Sequence, residues 1–300
     1  MTAISVKNLR KSFGDFTAVD DISFDVPQGS FFAFLGPNGA GKSTTISIIC
    51  SLLNRDSGFV SVFGKDPSRF ECRSEIGVVF QDQMLDPRLT VRENLRLRCA
   101  MYGLWPSVVK ALTERALKRT KSTEFADRPY GTLSGGQKRR ADIARALVHE
   151  PRILILDEPT TGLDPLTRKN IWDTITYLNK RKGLTVFLTT HYMEEATLAD
   201  NIVIIDRGKI VATGTPASLK EEYCSDSIAI RPISVDETKM KLDSMGLTYT
   251  LKNDVITVPI KSTLDAVPII NALDGMMSSF EVRNGTLDDV FIALTGGNGE

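Results

Sequence analysis

The feature of this sequence that most constrains its fold is the glycine-rich segment at residues 36–44, which reads GPNGAGKST. It fits the pattern G-x-x-x-x-G-K-S/T and directly follows an apolar run at residues 30–35. A buried strand, a glycine loop and then a helix, here from about Gly41, form the setting in which this pattern binds phosphate. We therefore expect an α/β fold in which the loop meets a nucleotide at the carboxyl end of a parallel strand.

The loop residues have distinct expected roles in binding phosphate. Backbone N–H groups and the positive end of the following helix attract the negative charge. Lys42 would reach the β- and γ-phosphates, and the Ser43 hydroxyl would contribute an oxygen to Mg²⁺. The alternative interpretation is a glycine-rich turn before an ordinary helix. The residues predicted to contact the nucleotide are Gly36, Pro37, Asn38, Gly39, Ala40, Gly41, Lys42, Ser43 and Thr44.

Two adjacent carboxylates follow a second apolar run. Residues 153–156, ILIL, are typical of a central parallel strand, and Asp157 and Glu158 come directly after them. Successive side chains on a regular strand point in opposite directions, so the two carboxylates cannot have the same task. We predict that Asp157 belongs to the Mg²⁺ site and that Glu158 activates or orients the attacking water. A capping role for both carboxylates, without chemistry, is the alternative.

A second glycine motif, LSGGQ at residues 133–137, lies between these two segments. Apolar side chains recur at helical spacing after it, so its glycines stand at a helix N-terminus, which favours an anion. With this motif, residues 1–222 resemble the ATP-binding subunits of ABC (ATP-binding cassette) transporters. The resemblance implies a P-loop ATPase with a RecA-like parallel sheet, an antiparallel β subdomain and a helical subdomain at about residues 82–140.

The resemblance also implies a head-to-tail homodimer. In the family, ATP lies between the phosphate loop of one subunit and the LSGGQ motif of the other. The motif residues that would contact nucleotide held by the partner are Ser134, Gly135, Gly136 and Gln137. Closing of the dimer on ATP and its opening after hydrolysis would then drive transport.

Four further residues match single positions of the family. Phe13 corresponds to the aromatic residue that stacks on adenine, and Gln81 to the glutamine that contacts Mg²⁺ and the attacking water. Asp164 corresponds to the loop at the dimer interface, and His191 to the histidine that touches the γ-phosphate. Each residue alone has an ordinary structural interpretation, and it is the joint pattern that favours the functional one.

The residues between Gln81 and the LSGGQ motif have a helical pattern. A capping box at Thr90 predicts a helix to about Tyr102, and a second helix is predicted from Ser107 to about Lys121. Both resemble the family's helical subdomain, whose groove receives a short helix of the membrane subunit. The second helix ends in basic residues, which departs from the more apolar pattern of the relatives.

Composition restricts the partners and the location. The 37 basic and 37 acidic residues balance, so a nucleic acid partner is not expected. No apolar stretch reaches the roughly 18 to 20 residues that cross a bilayer, and the N-terminus lacks a secretory pattern. We therefore expect a cytoplasmic protein, peripheral on the cytoplasmic face of the cell membrane, with a separate transmembrane permease as its partner.

Residues 223–300 carry none of the family's motifs and are numerous enough for a domain of their own. Their pattern predicts a strand, a helix, a hairpin around Asn253 and Asp254, a helix, a strand and a final helix. This order suits a small α+β ferredoxin-like domain with one extra helix. Residues 285–295 resemble the end of drug-exporter ATPases of the daunorubicin-resistance type. Regulation or dimer stabilisation is one interpretation of this domain, and structural support is the other.

Together these features predict the ATP-hydrolysing subunit of an ABC-2-like exporter, with ATP and Mg²⁺ as cofactors and a drug-like or lipid-like substrate. The alternative is a soluble ABC-type clamp that acts on a non-membrane partner such as the ribosome or DNA. Relatives of that kind carry two cassettes or long coiled-coil insertions, and this chain has one cassette and no such insertion. A phosphotransferase on the same loop would leave the LSGGQ motif unexplained.

Overall fold

The computed structural model describes residues 1–296 and divides the chain into two compact units, Met1–Thr215 and Pro216–Glu300. The division precedes helix α8 (Pro216–Tyr223), whereas the sequence pattern placed it near the end of that helix. Helix α8 packs against helix α11 (Leu287–Thr295) within the second unit. Because of this packing α8 belongs to the second unit, and the boundary between the units lies before the helix.

A six-stranded sheet forms the centre of the first unit. In spatial order its strands are β5 (Ile76–Val79), β6 (Ile153–Asp157), β7 (Thr185–Thr190), β3 (Phe31–Leu35), β8 (Asn201–Asp206) and β9 (Lys209–Gly214). Neighbouring strands are parallel except for β8 and β9. Every residue of β3, β6 and β7 is buried, as expected for central strands of a parallel sheet. The predicted RecA-like parallel core is confirmed.

A three-stranded antiparallel sheet packs on this core. Its central strand is β1 (Thr2–Phe13), flanked by β2 (Phe16–Pro27) and β4 (Ser57–Val62). The ring of Phe24 in β2 stacks on Phe32 in β3 with 5.6 Å between their centroids. Buried residues of both sheets form one apolar cluster, so the antiparallel β subdomain shares its core with the parallel sheet.

The helices between the strands include a group with a core of its own. The helices of the first unit are α1 (Lys42–Ile49), α2 (Phe70–Glu75), α3 (Val91–Ala100), α4 (Pro106–Arg119), α5 (Gly135–Leu147), α6 (Pro165–Lys182) and α7 (Met193–Ala196). Helices α3, α4 and α5 pack together around Leu95, Leu117 and Phe125. Thr90 begins α3 through the predicted capping box with Glu93. These helices form the predicted helical subdomain.

The second unit contains a four-stranded antiparallel sheet. In spatial order its strands are β11 (Thr250–Lys252), β12 (Val255–Ile260), β10 (Asp226–Pro232) and β13 (Met277–Arg283). Helices α9 (Val235–Ser244) and α10 (Ala266–Ala272) contribute Leu242 and Ile269 to its core. The chain order is β-α-β-β-α-β followed by α11, and the ferredoxin-like assignment stays a prediction. Among residues 1–296, no helix is both long enough and apolar enough to cross a bilayer.

Candidate functional site

A cleft of about 630 Å³ opens at the carboxyl end of the parallel sheet. Strand β3 leads into the phosphate loop, β6 ends at Asp157, and β7 ends directly before His191. Open α/β sheets bind ligands at this end, because the loops that follow the strands surround a crevice there. The residues that line the cleft are Phe13, Phe16, Ala18, Asn38, Gly39, Gly41, Lys42, Ser43, Thr44, Gln81, Glu158, Thr161 and His191.

The phosphate loop requires glycine at two close contacts. A Cβ atom at Gly36 would lie 2.4 Å from the carbonyl oxygen of Ile205, and one at Gly41 would lie 2.4 Å from that of Ala18. Gly41 also has a φ of 106° and is the N-cap of α1. The loop is therefore pressed against β2 and β8, and only glycine fits at these positions.

Lys42 stands at the centre of the loop with its ammonium group enclosed. The side chain is 5% exposed and donates hydrogen bonds to the carbonyl oxygens of Gly36 (2.7 Å) and Pro37 (3.0 Å). Its Nζ lies 3.6 Å from Oε1 of Glu158. Burial lowers the pKa of Lys42, while the neighbouring carboxylates of Glu158 and Asp157 act in the opposite direction. Because a buried cation needs a negative partner, this position favours a phosphate group.

The adjacent carboxylates have different surroundings. Asp157 is the last residue of β6, and its Oδ1 accepts a hydrogen bond of 2.6 Å from the hydroxyl of Thr189. Glu158 leaves the strand with a left-handed φ of 45°. Its Oε2 lies 3.2 Å from Nδ1 of His191 and accepts a hydrogen bond of 3.4 Å from Thr161. A strained backbone of this kind costs about 1 to 3 kcal/mol and is concentrated at functional sites.

The structure brings the predicted cleft residues together only in part. Phe13, Gln81, Glu158 and His191 line one cleft with the loop, although they come from four distant parts of the sequence. Other predicted residues lie outside the lining. These are Gly36, Pro37, Ala40, Asp157, Ser134, Gly135, Gly136, Gln137 and Asp164.

Phe16 also lines the cleft, although no motif in the sequence predicts it. It pairs with Phe13 across the hairpin of β1 and β2, and the two side chains are 61% and 50% exposed. The sequence does contain a pattern that could have predicted it: the two-residue turn Gly14-Asp15 lies between two aromatic residues, which indicates a hairpin with these residues opposite each other. The cleft therefore offers two aromatic side chains for stacking rather than one.

The LSGGQ motif leads into α5 with Ser134 and Gly135 exposed, and none of its residues lines the cleft of its own chain. Ser134 is the N-cap, and its hydroxyl accepts a hydrogen bond of 3.4 Å from the backbone N–H of Gln137. A Cβ atom at Gly136 would lie 2.5 Å from Cγ2 of Thr167, so the motif packs tightly on the start of α6. Asp164 caps α6 by accepting a hydrogen bond of 2.9 Å from the Thr167 N–H. The motif and Asp164 thus share a second surface.

The predicted metal ligands fit a cation that shares its coordination with phosphate. Among residues 1–296, no three His, Cys, Asp or Glu side chains are grouped to hold a metal ion by themselves. Ser43 and Gln81 lie on the cleft, and Asp157 ends the strand beside it. Oxygen donors of this kind, few in number, suit Mg²⁺, which keeps waters and substrate phosphates as further ligands.

A second depression, which we call the arginine groove, lies between β5, α3 and α5. Its volume is about 250 Å³. Buried Nε atoms of Arg98 and Arg145 and the Nδ1 atom of His149 have no hydrogen-bond partner there. No acidic side chain belongs to the lining, which otherwise is largely apolar. The lining residues are Cys50, Leu52, Pro67, Arg73, Ile76, Val78, Phe80, Met84, Arg98, Arg145, Ala146 and His149.

His149 makes the stability of the first unit dependent on pH. Burial lowers its pKa from 6.5 to about 4, and Arg98 and Arg145 add to the effect. The unfolded chain therefore takes up a proton near pH 6.5 that the folded chain excludes until about pH 4. This contribution to the free energy of unfolding is complete above pH 6.5 and is lost as the pH falls. Asp142 has a pKa raised to about 6 by burial and acts in the opposite direction.

We expect His149→Gln to gain stability relative to the wild type as the pH falls from 7 to 5, by about 2 kcal/mol. Glutamine keeps a donor for the Ile76 carbonyl, which lies 3.1 Å from Nε2 of His149, but it does not titrate. Urea denaturation of both proteins at the two pH values measures the difference, and Asp142 cancels because both contain it. A difference in unfolding free energy that is independent of pH would contradict this account.

Comparison with known proteins gives matches along nearly the whole chain. The family described as ABC transporter matches residues 19–161. The chain is 38% identical over 298 residues to Nod factor export ATP-binding protein I of Burkholderia orbicola (strain AU 1054), covering 98% of this chain and 97% of that one. It is 36% identical over 305 residues to daunorubicin resistance ATP-binding protein DrrA3 of Streptomyces coeruleorubidus, covering 98% and 96%.

A solved structure agrees with these sequence matches. It is a dimeric ATP-binding cassette in a post-hydrolysis state, bound to ADP and Pi. Its TM-score is 0.65 at 30% identity, and the match covers 71% of this chain and 98% of that one. With the phosphate loop, the paired carboxylates and the LSGGQ motif in place, the chain belongs to the ABC transporter family as an ATP-binding and ATP-hydrolysing subunit.

Proposed function

We propose that this chain hydrolyses ATP to drive an ABC-2-like exporter. The observation that carries the proposal is the cleft in which Lys42, Gln81, Glu158 and His191 meet beside the phosphate loop. Relatives named for Nod factor export and for daunorubicin resistance support the direction of transport. A drug-like or lipid-like substrate is the corresponding expectation. The soluble clamp is not favoured, because these relatives match almost the whole chain.

Within the cleft, each side chain has a task that its position allows. The loop amides and Lys42 would hold the β- and γ-phosphates, and Phe13 and Phe16 would stack on the adenine. Glu158 would orient the attacking water or accept its proton, and His191 would stand near the γ-phosphate. The close pair of Glu158 and Lys42 would separate when the phosphate becomes the partner of the lysine.

Mg²⁺ would be held by Ser43, Gln81 and Asp157 together with the phosphates. When bound, the ion would neutralise negative charge on the phosphate oxygens. The three residues come from the phosphate loop helix, the segment after β5 and the end of β6. Gln81 would therefore link the nucleotide to the segment that leads into the helical subdomain.

The active form would be a head-to-tail homodimer with ATP at two equivalent interfaces. Ser134 and Gly135 of the LSGGQ motif are exposed, as is Asp164, and none of the three lines the cleft of its own chain. The Ser134 hydroxyl accepts a hydrogen bond from Gln137 and so keeps its own proton to donate to a phosphate oxygen. The first N–H groups of α5 would add to this anion site. Two chains facing each other would complete both clefts.

The partner would be a transmembrane permease that docks at the cytoplasmic face of the membrane, in the arginine groove. Apolar lining residues such as Leu52 and Met84, which are 64% and 55% exposed, suit the apolar side of a short helix. The unpartnered Nε atoms of Arg98 and Arg145 favour a carboxylate on that helix. The groove adjoins Phe80, directly before Gln81, so docking would be linked to the cleft.

Arg98→Glu should weaken the association with the permease at least tenfold, because a carboxylate would then face a carboxylate. The ATPase rate of the isolated chain should stay unchanged, since Arg98 lies outside the cleft. Co-purification from detergent-solubilised membranes, quantified by mass spectrometry, measures the association. Arg96→Glu is the matched control, because Arg96 is exposed on the same helix and does not line the groove. Equal losses for both variants would contradict the groove as the docking site.

The second unit would regulate the dimer or stabilise it, with a ferredoxin-like arrangement of its strands. Its spatial strand order, β11-β12-β10-β13, supports that arrangement. Exposed apolar side chains, among them Phe280 and Ile292, are available for contacts with a second copy.

The experiment that tests the proposal is capture of the tagged chain from native membranes in detergent, followed by mass spectrometry and an ATPase assay of the eluate. A co-purified multi-spanning membrane protein that alters the ATPase rate would support the exporter. Recovery of ribosomes or of soluble proteins alone would overturn it and favour the clamp.

A further inference from the structure

Arg139 is a buried arginine in the first turns of α5, close behind the LSGGQ motif. Arg139 is only 8% exposed. The hydrogen bonds that its guanidinium donates go to backbone carbonyl groups and not to a carboxylate. The guanidinium donates to the carbonyl oxygens of Phe80 (2.5 Å), Asp157 (3.3 Å) and Glu158 (2.9 Å), and also to that of Pro159. One side chain therefore holds the backbone at two separate places in the sequence.

Three of these carbonyls come from consecutive residues, 157 to 159. Carbonyls of a regular strand point alternately to opposite sides, so three in a row converge only where the chain turns. The turn is made by the left-handed φ of 45° at Glu158, which is unfavourable for a residue with a side chain. A positive charge placed at the converging oxygens stabilises this turn.

The fourth carbonyl belongs to the residue directly before Gln81. The guanidinium thus joins three elements: the helix that carries the LSGGQ motif, the turn that carries Glu158 and the segment that carries Gln81. An arginine has five N–H donors in a planar fork, whereas a lysine has three on a single nitrogen. The arrangement therefore depends on the guanidinium and not on charge alone.

We propose that Arg139 is a positioning residue for ATP hydrolysis, which sets the Glu158 carboxylate and Gln81 relative to the LSGGQ helix. The proposal rests on the roles assigned above to Glu158 and Gln81. A shift of α5, on dimer closing or permease docking, would then move the water-activating group through this one side chain. Catalysis is sensitive to such shifts, because a misplacement of about 1 Å can lower the rate by about 100-fold.

The neighbouring Arg140 provides the matched control. It lies on the same helix but points away from the cleft, where it donates to the carbonyl of Lys121 (2.9 Å) and to Glu124 (3.1 Å). The same substitution at positions 139 and 140 therefore removes an equal charge from α5, and only the first removes the contacts to the carbonyls of residues 80 and 157–159.

The test compares Arg139→Lys, Arg139→Gln and Arg140→Gln in the full chain, with kcat for ATP hydrolysis and the Kd of the monomer for a fluorescent ATP analogue as separate readouts. Both Arg139 variants should lose roughly 10- to 100-fold in kcat while Kd stays within about twofold, because the phosphate loop is untouched. Arg140→Gln should match the wild type. Millimolar methylguanidinium should restore part of the kcat of Arg139→Gln. If Arg139→Gln does not fold, the kcat and Kd of Arg139→Lys alone test the proposal.

Two results would overturn the proposal. The first is a normal kcat in Arg139→Lys, which would show that charge alone suffices. The second is a parallel loss of kcat and nucleotide affinity, which would indicate a general structural role. Neither result depends on the permease. A failure of the Arg139 proposal is therefore distinguishable from a failure of the exporter proposal, which is tested by co-purification.

Discussion

Replacing Glu158 with glutamine is expected to lower the ATP turnover of this protein by roughly 10²- to 10⁴-fold and to leave ATP binding intact. Glutamine has almost the same shape but is a much weaker base, so a water molecule held beside it is not activated. Lys42 bonds to the carbonyls of Gly36 and Pro37, which the substitution does not touch, so it should still reach the proposed phosphate position. The step that fails is the chemical one.

The same variant should accumulate as a dimer in the presence of ATP. If ATP binds between two chains and hydrolysis releases them, then blocked hydrolysis shifts the population towards the closed state. Size-exclusion chromatography with and without ATP measures the shift, and a phosphate-release assay measures turnover. Glu194→Gln is the control, because Glu194 is exposed near His191 but does not line the cleft. An unchanged rate in Glu158→Gln would remove Glu158 from the proposed mechanism.

The parts of this site that the sequence predicts are those that lie on contiguous motifs. The strand, glycine loop and helix around Lys42 occur as expected because each element is specified by residues next to it in the chain. The alternation of a regular strand predicts that Asp157 and Glu158 diverge. In the structure they diverge because β6 ends at Asp157 and Glu158 has a left-handed φ.

The sequence did not predict the contacts between segments that are distant along the chain. Nothing in the residues around Arg139 indicates that its guanidinium meets carbonyls 18 to 20 and 59 residues away. The position of Phe16 depends on the hairpin register, which places it opposite Phe13. The boundary before α8 depends on packing against α11, far along the chain. Each case is decided by tertiary packing, which a local pattern does not contain.

Ser134→Arg is expected to reduce ATP hydrolysis at least 100-fold without weakening the binding of ATP to the monomer, since we propose that the residue contributes to a site completed by another chain. Ser134 is exposed at the start of α5 and absent from the lining of its own cleft. An arginine there would remove the N-cap hydroxyl and place a long side chain where the partner's phosphate is proposed to lie. Ser134→Ala, which removes only the hydroxyl, should also reduce the rate of ATP hydrolysis, but by a smaller factor.

Mixing two inactive variants distinguishes a site shared between chains from a site within one chain. Lys42→Ala should lose ATP binding at its own loop but keep an intact LSGGQ motif, and Ser134→Arg should do the reverse. In a head-to-tail mixed dimer, both lesions fall in one interface and the other interface is complete, so activity should return on mixing. The recovered rate should be roughly a quarter of the wild-type rate if the sites act independently, because half of randomly formed dimers are mixed and each has one complete site. A Ser134→Arg monomer that binds ATP much more weakly than the wild type would contradict the shared site.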